Sequence, residues 1–264
     1  MKMPTAKNPF DLSGLTILLT GATGHLGRAM AHGLAHAGAR LVVSSRNMAA
    51  AESVADELAS PTGARHVATQ IDHLDHDSLQ QGFERAVTEV AKLDVLIANG
   101  HQACASDWKS VTEDEFNGVL KNATGYFMLA RLLRDHVVSR SASGNVIFLG
   151  SMYGLVGSYP DAYAGIVPAS PVAYHALKGG VLQMTRHLAV YWAADKVRVN
   201  CLSPGPFPAS SVSDKLVENL AQRSPMGRMG RAEELVGPAI FLSSNASSYV
   251  TGHNLVVDGG WTAW

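Results

Sequence analysis

A single α/β domain, built on a seven-stranded doubly wound parallel sheet with helices on both faces, is the fold class that three observations predict. Short apolar runs of strand length alternate with helical patterns along the whole chain, as a parallel sheet with crossover helices requires. A glycine-rich turn, TGATGHLG at 20–27, lies between the first such run and the first helical pattern. The 264 residues, 47% hydrophobic and 16% charged, show no repeat, low-complexity tract or interdomain linker, which suits one domain with a substantial core.

The elements follow in order. LTILLT (15–20) is the first strand, and a helix runs from Leu26 to Ala37. ARLVVSS (39–45) is the second, followed by the alanine-rich helix MAAAESVADELA. ARHVATQI (64–71) is the third, and DSLQQGFERAVTEVA forms the next helix, capped by Asp77 or Ser78. LDVLIAN (93–99) is the fourth strand, with a long helix over about 113–136. GNVIFLGS (144–151) is the fifth strand, VRVNCLS (197–203) the sixth and NLVVDGG (254–260) the seventh. A loop and helix over about 206–224 and the helical stretch RAEELVGPAIFLSS precede the seventh. Between the fifth and sixth strands, SPVAYHALKGG (170–180) opens a helix reaching about Ala194, with Ser170 as cap and Pro171 in the first position. On that helix Tyr174 and Lys178 stand four residues apart and share one face.

Charge and composition exclude several classes. The net charge is −1, so no basic footprint points to nucleic acid or an anionic membrane. The N-terminal MKMPTAKNPFDLSG lacks an apolar signal core, and the expectation is a cytoplasmic protein. Residues 141–160 carry no charge but are broken by Ser, Gly and Pro, and are read as a strand and loop rather than a membrane span. Cys104 and Cys201 match no metal or redox spacing and are expected to be free thiols. The eleven histidines, among them His73, His76, His101 and His187, show no ligand spacing, so no metal is expected. His175 adjoins Tyr174 but projects about 100° away around a helix.

Gly21, Gly24 and Gly27 open the first helix, where phosphate oxygens could approach backbone N–H groups without interference from Cβ atoms. Any tight strand-to-helix turn also favours glycine; the place after the first strand is what strengthens the signal. Asp72, just past the third strand, is a candidate for an adenine amino group, or equally a turn or cap residue.

The glycine loop, Asp72, ANG at 98–100, Asn122, Ser151 and the Tyr174/Lys178 pair occur in an order that resembles the short-chain dehydrogenase/reductase family, in its roughly 250-residue branch. VNCLSPGP after the sixth strand, SPMGRMGRAEEL, and SSYVTGHNLVVDGGW at the end agree as well. The resemblance implies a Rossmann-type sheet and roles residue by residue. Tyr174 matches the catalytic acid/base, Lys178 its helper, Ser151 the serine that binds the substrate oxygen, and Asn122 the asparagine that holds a relay water. The implied cofactor-binding set is Gly21, Thr23, Gly24, His25, Leu26, Gly27, Ser45, Arg46, Asp72, His73, Asn99, Gly100, Tyr174, Lys178, Pro204, Gly205, Pro206 and Phe207. Ionising an unperturbed tyrosine at pH 7 costs roughly 4 kcal/mol, and a nearby ammonium would reduce that cost.

Strand two ends in Ser45 and Arg46, where NAD-preferring relatives carry an acid. A guanidinium suits a 2′-phosphate, so NADP(H) is expected, with NAD(H) as the alternative. Three departures from the family pattern stand out. The spacing Gly-x-x-Gly-x-x-Gly, with His25 in the place of the middle glycine, resembles the longer branch that includes nucleotide-sugar epimerases. His101 follows ANG where glycine is common. Ser151 and Tyr174 are 23 residues apart, and the long interval GSYPDAYAGIVPASP is expected to form part of the substrate pocket wall.

The implied activity is interconversion of a secondary alcohol and a ketone, with sugar acids, polyols or modified sugars as substrates by analogy. A sugar-nucleotide epimerase, and a non-catalytic dinucleotide sensor that would lack a member of the catalytic set, are the competing readings. The resemblance also suggests a homotetramer, or a dimer, with Trp261 and Trp264 near a boundary.

Overall fold

The computed structural model describes residues 8–168 and 170–264; the first seven residues of the N-terminal stretch read above lie outside it. The apolar runs form strands β1 (Thr16–Thr20), β2 (Arg40–Ser45), β3 (Val67–Gln70), β4 (Val95–Ala98), β5 (Gly144–Leu149), β6 (Val197–Pro204) and β7 (Asn254–Val257). All pair in parallel in the order β3-β2-β1-β4-β5-β6-β7. The seven-stranded doubly wound sheet is therefore as expected.

Every residue of β1, β4 and β5 is buried, because helices cover both faces of a parallel sheet and alternate side chains point to each. One face carries α3 (His76–Val90), α4 (Glu113–Ser139) and α6 (Val172–Trp192), packed around Leu96, Tyr126, Val146 and Phe148. The other carries α1 (His25–His36), α2 (Met48–Glu57) and α8 (Val236–Ser243), packed around Ile17, Leu19, Val43 and Ile97. Two shorter helices, α5 (Pro160–Tyr163) and α7 (Asp214–Ala221), stand at the carboxyl ends of the strands with the third apolar cluster, which includes Met152, Leu220 and Trp261. Among the described residues no helix is long and apolar enough to cross a membrane.

Boundaries differ from the sequence reading where side chains replace backbone partners. β3 starts at Val67 rather than residue 64, because the His66 ring accepts the Leu41 N–H at 3.0 Å, a donor that a longer ladder would use. The cap of α3 is Asp75, which accepts the Ser78 N–H at 2.7 Å, rather than Asp77 or Ser78. Ser78 instead turns its hydroxyl to the Asp72 N–H. Likewise α6 starts at Val172 with Pro171 as its uncapped N-cap, so neither Ser170 nor Pro171 takes the place expected for it. By contrast α4 has a full capping box between Thr112 and Glu115, an arrangement worth about 1 kcal/mol.

In an open doubly wound sheet the ligand crevice forms outside the carboxyl ends of the strands where the order reverses. Here that point lies between β1 and β4. The glycine loop, Asn99 and Gly100, and the segments after β5 and β6 converge on it.

Candidate active site

Two adjoining cavities occupy the crevice. A groove of about 510 Å³ runs over the glycine loop, and a cavity of about 420 Å³ lies under α7 and the segment after β5. His101, Tyr174 and Phe207 line both, so they mark the junction.

The groove is built by close backbone approach. Gly21 has φ +62°, and a Cβ on it would sit 2.7 Å from Gly100 Cα; one on Gly27 would sit 2.1 Å from Gly21 O. Thr20, the last residue of β1, locks the two loops together by accepting the Asn99 and Gly100 N–H groups at 2.9 and 3.0 Å. Asn99 Nδ2 donates to the carbonyls of Thr20 and Gly21. Helix α1 then opens on Gly24 with no side-chain cap and no acid in its first turn. Its N-terminal dipole is left facing the groove, an arrangement that fits a pyrophosphate.

Most of the expected cofactor-binding residues line this groove: Gly21, Thr23, Gly24, His25, Leu26, Gly27, Ser45, Arg46, His73, Asn99, Gly100, Tyr174, Lys178, Pro204 and Phe207. Asp72, Gly205 and Pro206 are the exceptions. The Asp72 carboxylate accepts the Leu74 N–H at 3.0 Å in a local turn and does not line the groove. Gly205 and Pro206 line the second cavity instead. Sequence reading did not select Thr20, Ile71, Leu149, Gly150 or Ala209, and it noted His101 only as a departure. Thr20 alone offered a signal, as the hydroxyl at the carboxyl end of the first strand where the glycine turn begins.

The expected catalytic residues come from three elements. Ser151 follows β5 and accepts the Tyr153 N–H at 3.1 Å. Its hydroxyl also hydrogen-bonds the Tyr174 hydroxyl, at the inner end of the second cavity. Lys178, one turn along α6, is buried and donates to Leu149 O at 2.6 Å. Its ammonium lies over the rings of Tyr126 and Tyr174, 5.6 and 5.5 Å from their centroids.

Asn122 is fully buried on α4, with all four hydrogen-bonding positions of its side-chain amide filled. Nδ2 donates to Gln102 O and Val119 O, while Oδ1 accepts from Gln102 N and from His73 Nε2 at 2.7 Å. Asn122 thus ties the loop after β4 to the loop after β3.

The electrostatics are dominated by burial. It raises the Tyr174 phenol above its ordinary value, against the hydrogen bond from Ser151, so the pull of Lys178 expected from the sequence does not prevail here. Burial also pushes Lys178 down to about 8 and, with the Lys178 charge adding to it, His101 down to about 4. His73 is lowered by burial too, partly offset by its bond to Asn122. Both imidazoles are therefore neutral at pH 7.

The Lys178 shift carries a stability consequence. Its folded pKa lies below the unfolded value of 10.5, so the buried charge costs stability in full below pH 8. That cost fades as pH rises from 8 to 10.5. Removing the ammonium leaves Leu149 O without a donor, at about 1 kcal/mol, against a charge-burial cost on the order of 2–3 kcal/mol. Lys178→Met is thus expected to raise the Tm at pH 7 by about 2–4 °C, with the gain shrinking above pH 8, as thermal unfolding across pH 6–10 would show. A Tm that falls at pH 7 would mean that the ammonium contributes net stability.

The long interval after Ser151 packs through its first half, whereas Ala164, Gly165, Val167 and Pro168 are exposed and residue 169 lies outside the described residues. Tyr159 meets the Trp261 ring at 5.6 Å, Ala162 is buried, and Asp161 pairs with Arg223. The Tyr163 hydroxyl bonds that of Tyr153, and both residues line the second cavity. His175 stacks on Tyr153 at 4.6 Å and lines neither cavity. Trp261 is buried within the chain, whereas Trp264 is exposed.

Comparison with known proteins agrees with this geometry. The family model described as enoyl-(acyl carrier protein) reductase matches residues 21–262. Galactitol 2-dehydrogenase (L-tagatose-forming) of Cereibacter sphaeroides is 35% identical, over 97% of this chain and 98% of that protein. The crystal structure of a short-chain type dehydrogenase/reductase from Mycobacterium marinum is 31% identical, covers 97% of this chain and 98% of its own, and superposes with a TM-score of 0.86. A gluconate 5-dehydrogenase from Burkholderia cenocepacia, in complex with NADP and tartrate, is 28% identical with the same coverage and TM-score.

Proposed function

The chain belongs to the short-chain dehydrogenase/reductase family of oxidoreductases acting on CH–OH and C=O groups, and from that premise we propose an NADP(H)-dependent enzyme with Tyr174 as its acid/base. One observation carries the proposal: Ser151, Tyr174 and Lys178 gather where a dinucleotide groove meets a second, largely apolar cavity. A sugar-nucleotide epimerase is disfavoured, since the matched relatives span the same length as this chain and are dehydrogenases by name.

The nicotinamide, when bound, supplies or accepts the hydride. In reduction the Tyr174 hydroxyl gives its proton to the carbonyl oxygen, while Ser151 Oγ hydrogen-bonds that oxygen as charge develops on it. In oxidation the Tyr174 phenolate takes the proton from the alcohol. Lys178, fixed by Leu149 O, keeps a positive charge beside the phenolate. A relay role for Asn122 requires one of its four side-chain bonds to yield to a water. Arg46 and Ser45 at the end of β2 support NADP(H) over NAD(H), and the relative with bound NADP is in accord. Assembly as a homotetramer or dimer and a cytoplasmic location complete the reading; exposed Val190, Tyr191 and Trp264 and two free thiols favour them.

The pH dependence tests the mechanism. Because burial raises Tyr174, the phenol stays protonated through neutral pH. Reduction is therefore expected to be flat from pH 6 to 8 and to fall only at alkaline pH. Oxidation should climb by up to about tenfold per pH unit toward the tyrosine range. An oxidation profile levelling off near pH 6.5 would assign the base to an imidazole and overturn the reading.

A further inference from the structure

We propose that the second cavity selects a neutral secondary alcohol or ketone with a mostly apolar body, and that it excludes sugar acids. The inference rests on the reading of Ser151 and Tyr174 as the reacting end of that cavity. It turns on what the rest of the wall offers a substrate.

Among the described residues, no Lys, Arg, Asp or Glu lines the cavity. Of the cations near it in sequence, Lys215 is exposed and does not line the cavity, and two arginines are committed elsewhere. Arg223 is paired with Asp161 and stacked over the Tyr159 ring, and Arg228 makes a bidentate bond to Glu234 at 2.7 and 2.8 Å. Lys178 lies on the groove side, held by a carbonyl. His101, the imidazole at the junction, is neutral at pH 7. A carboxylate bound against this wall would give up part of its water without gaining a counter-charge, an unfavourable exchange at an apolar surface.

Most of the remaining wall is hydrocarbon, with Val119, Met152, Phe207, Leu216, Leu220 and Met229 among its residues. Away from Ser151 and Tyr174, the polar side-chain groups on it are few. The Tyr153 and Tyr163 hydroxyls already bond each other. His101 Nδ1 is buried with no hydrogen-bond partner. Cys104 and Ser170 add one group each. A hexitol-like chain would bring more hydroxyls than these can satisfy, and each one left unpaired weakens binding. A branched-alkyl or aryl ketone instead fills the wall by contact alone, with its carbonyl on Ser151 and Tyr174. The volume of about 420 Å³ suits a molecule of that size.

The test compares three carbonyl compounds with NADPH at pH 7: propiophenone, tagatose and 5-keto-D-gluconate. Propiophenone is expected to show a kcat/KM at least about 100-fold above that of 5-keto-D-gluconate, with tagatose between them. The same ranking is expected in the rise in melting temperature when each compound is added to the protein. Val212→Arg, which places a cation on the loop side of the wall, should shift the ratio at least about tenfold toward 5-keto-D-gluconate. Equal or better turnover of 5-keto-D-gluconate, lost on Tyr174→Phe, overturns this proposal and leaves the dehydrogenase reading standing. No NADPH oxidation with any of a broad panel of ketones overturns both.

Discussion

Tyr174→Phe is expected to lower turnover by at least about 10²-fold, and up to about 10⁴-fold, in both directions, with cofactor binding and Tm almost unchanged. The substitution removes one hydroxyl from a ring that stays packed edge-on against His101, 5.3 Å away. The hydroxyl's hydrogen bond is to Ser151, which keeps its bond from the Tyr153 N–H. The Ser151 hydroxyl loses the acceptor it donated to, but it lines the second cavity, where water can take that place, so the stability effect should be within about 1 kcal/mol. Turnover differs because no other group can take over the proton. His101 is the competitor by position, but burial and the Lys178 charge put its pKa at about 4, so it rarely carries a proton to give at pH 7. Single-turnover rates with NADPH, set beside thermal unfolding and cofactor titration, make the comparison. More than about a tenth of wild-type turnover in Tyr174→Phe would move the acid/base role to another residue.

The reasons why some of this was legible in the sequence and some was not are physical. Parallel strands buried on both faces must be continuous apolar runs, so β1, β4 and β5 stood out as LTILLT, LDVLIAN and GNVIFLGS. Tyr174 and Lys178 lie within one helical turn, and helix geometry alone fixed their shared face. The glycine spacing looked anomalous because three glycines were weighed alike. In the fold Gly21 and Gly27 are the close-approach pair, whereas Gly24 is the helix N-cap and meets little.

What could not be read is tertiary. The His66 ring that shortens β3 and the His73–Asn122 bond join residues across loops whose paths no local pattern encodes. Asp72 and His73 are neighbours in sequence, yet one turns into its own loop and the other into the groove. The apolar character of the second cavity is likewise assembled from the β5 and β6 loops, α4 and α7, and no single segment reveals it.

Cofactor preference is the other large effect, and it is set at the adenosine end of the groove. Wild-type protein is expected to favour NADPH over NADH by about ten- to hundredfold in kcat/KM, and Ser45→Asp with Arg46→Ala to invert that order. Arg46 is exposed and donates to Gln102 Oε1 at 2.7 Å, a bond between a guanidinium and a neutral amide at the groove's edge. A 2′-phosphate offers the same guanidinium a fully charge-assisted, bidentate partner, worth roughly 1.5–3 kcal/mol net. That exceeds what an exposed amide gives back, so the phosphate wins the contact. Ser45 accepts the Asn47 N–H at 3.2 Å and a bond from Thr23 at 3.3 Å. It thus presents a neutral hydroxyl where an acid would repel phosphate. The Asp72 carboxylate, turned into its own loop, adds no such repulsion. In the double variant the aspartate can accept from the ribose hydroxyls of NADH and opposes the phosphate of NADPH, while the paired cation is gone. Salt gives an independent check, because an exposed guanidinium–phosphate contact is screened. KM for NADPH should rise between about 0.05 and 0.5 M salt while KM for NADH changes little. Wild-type efficiency with NADH equal to or above that with NADPH would show that Arg46 stays on Gln102 and does not discriminate.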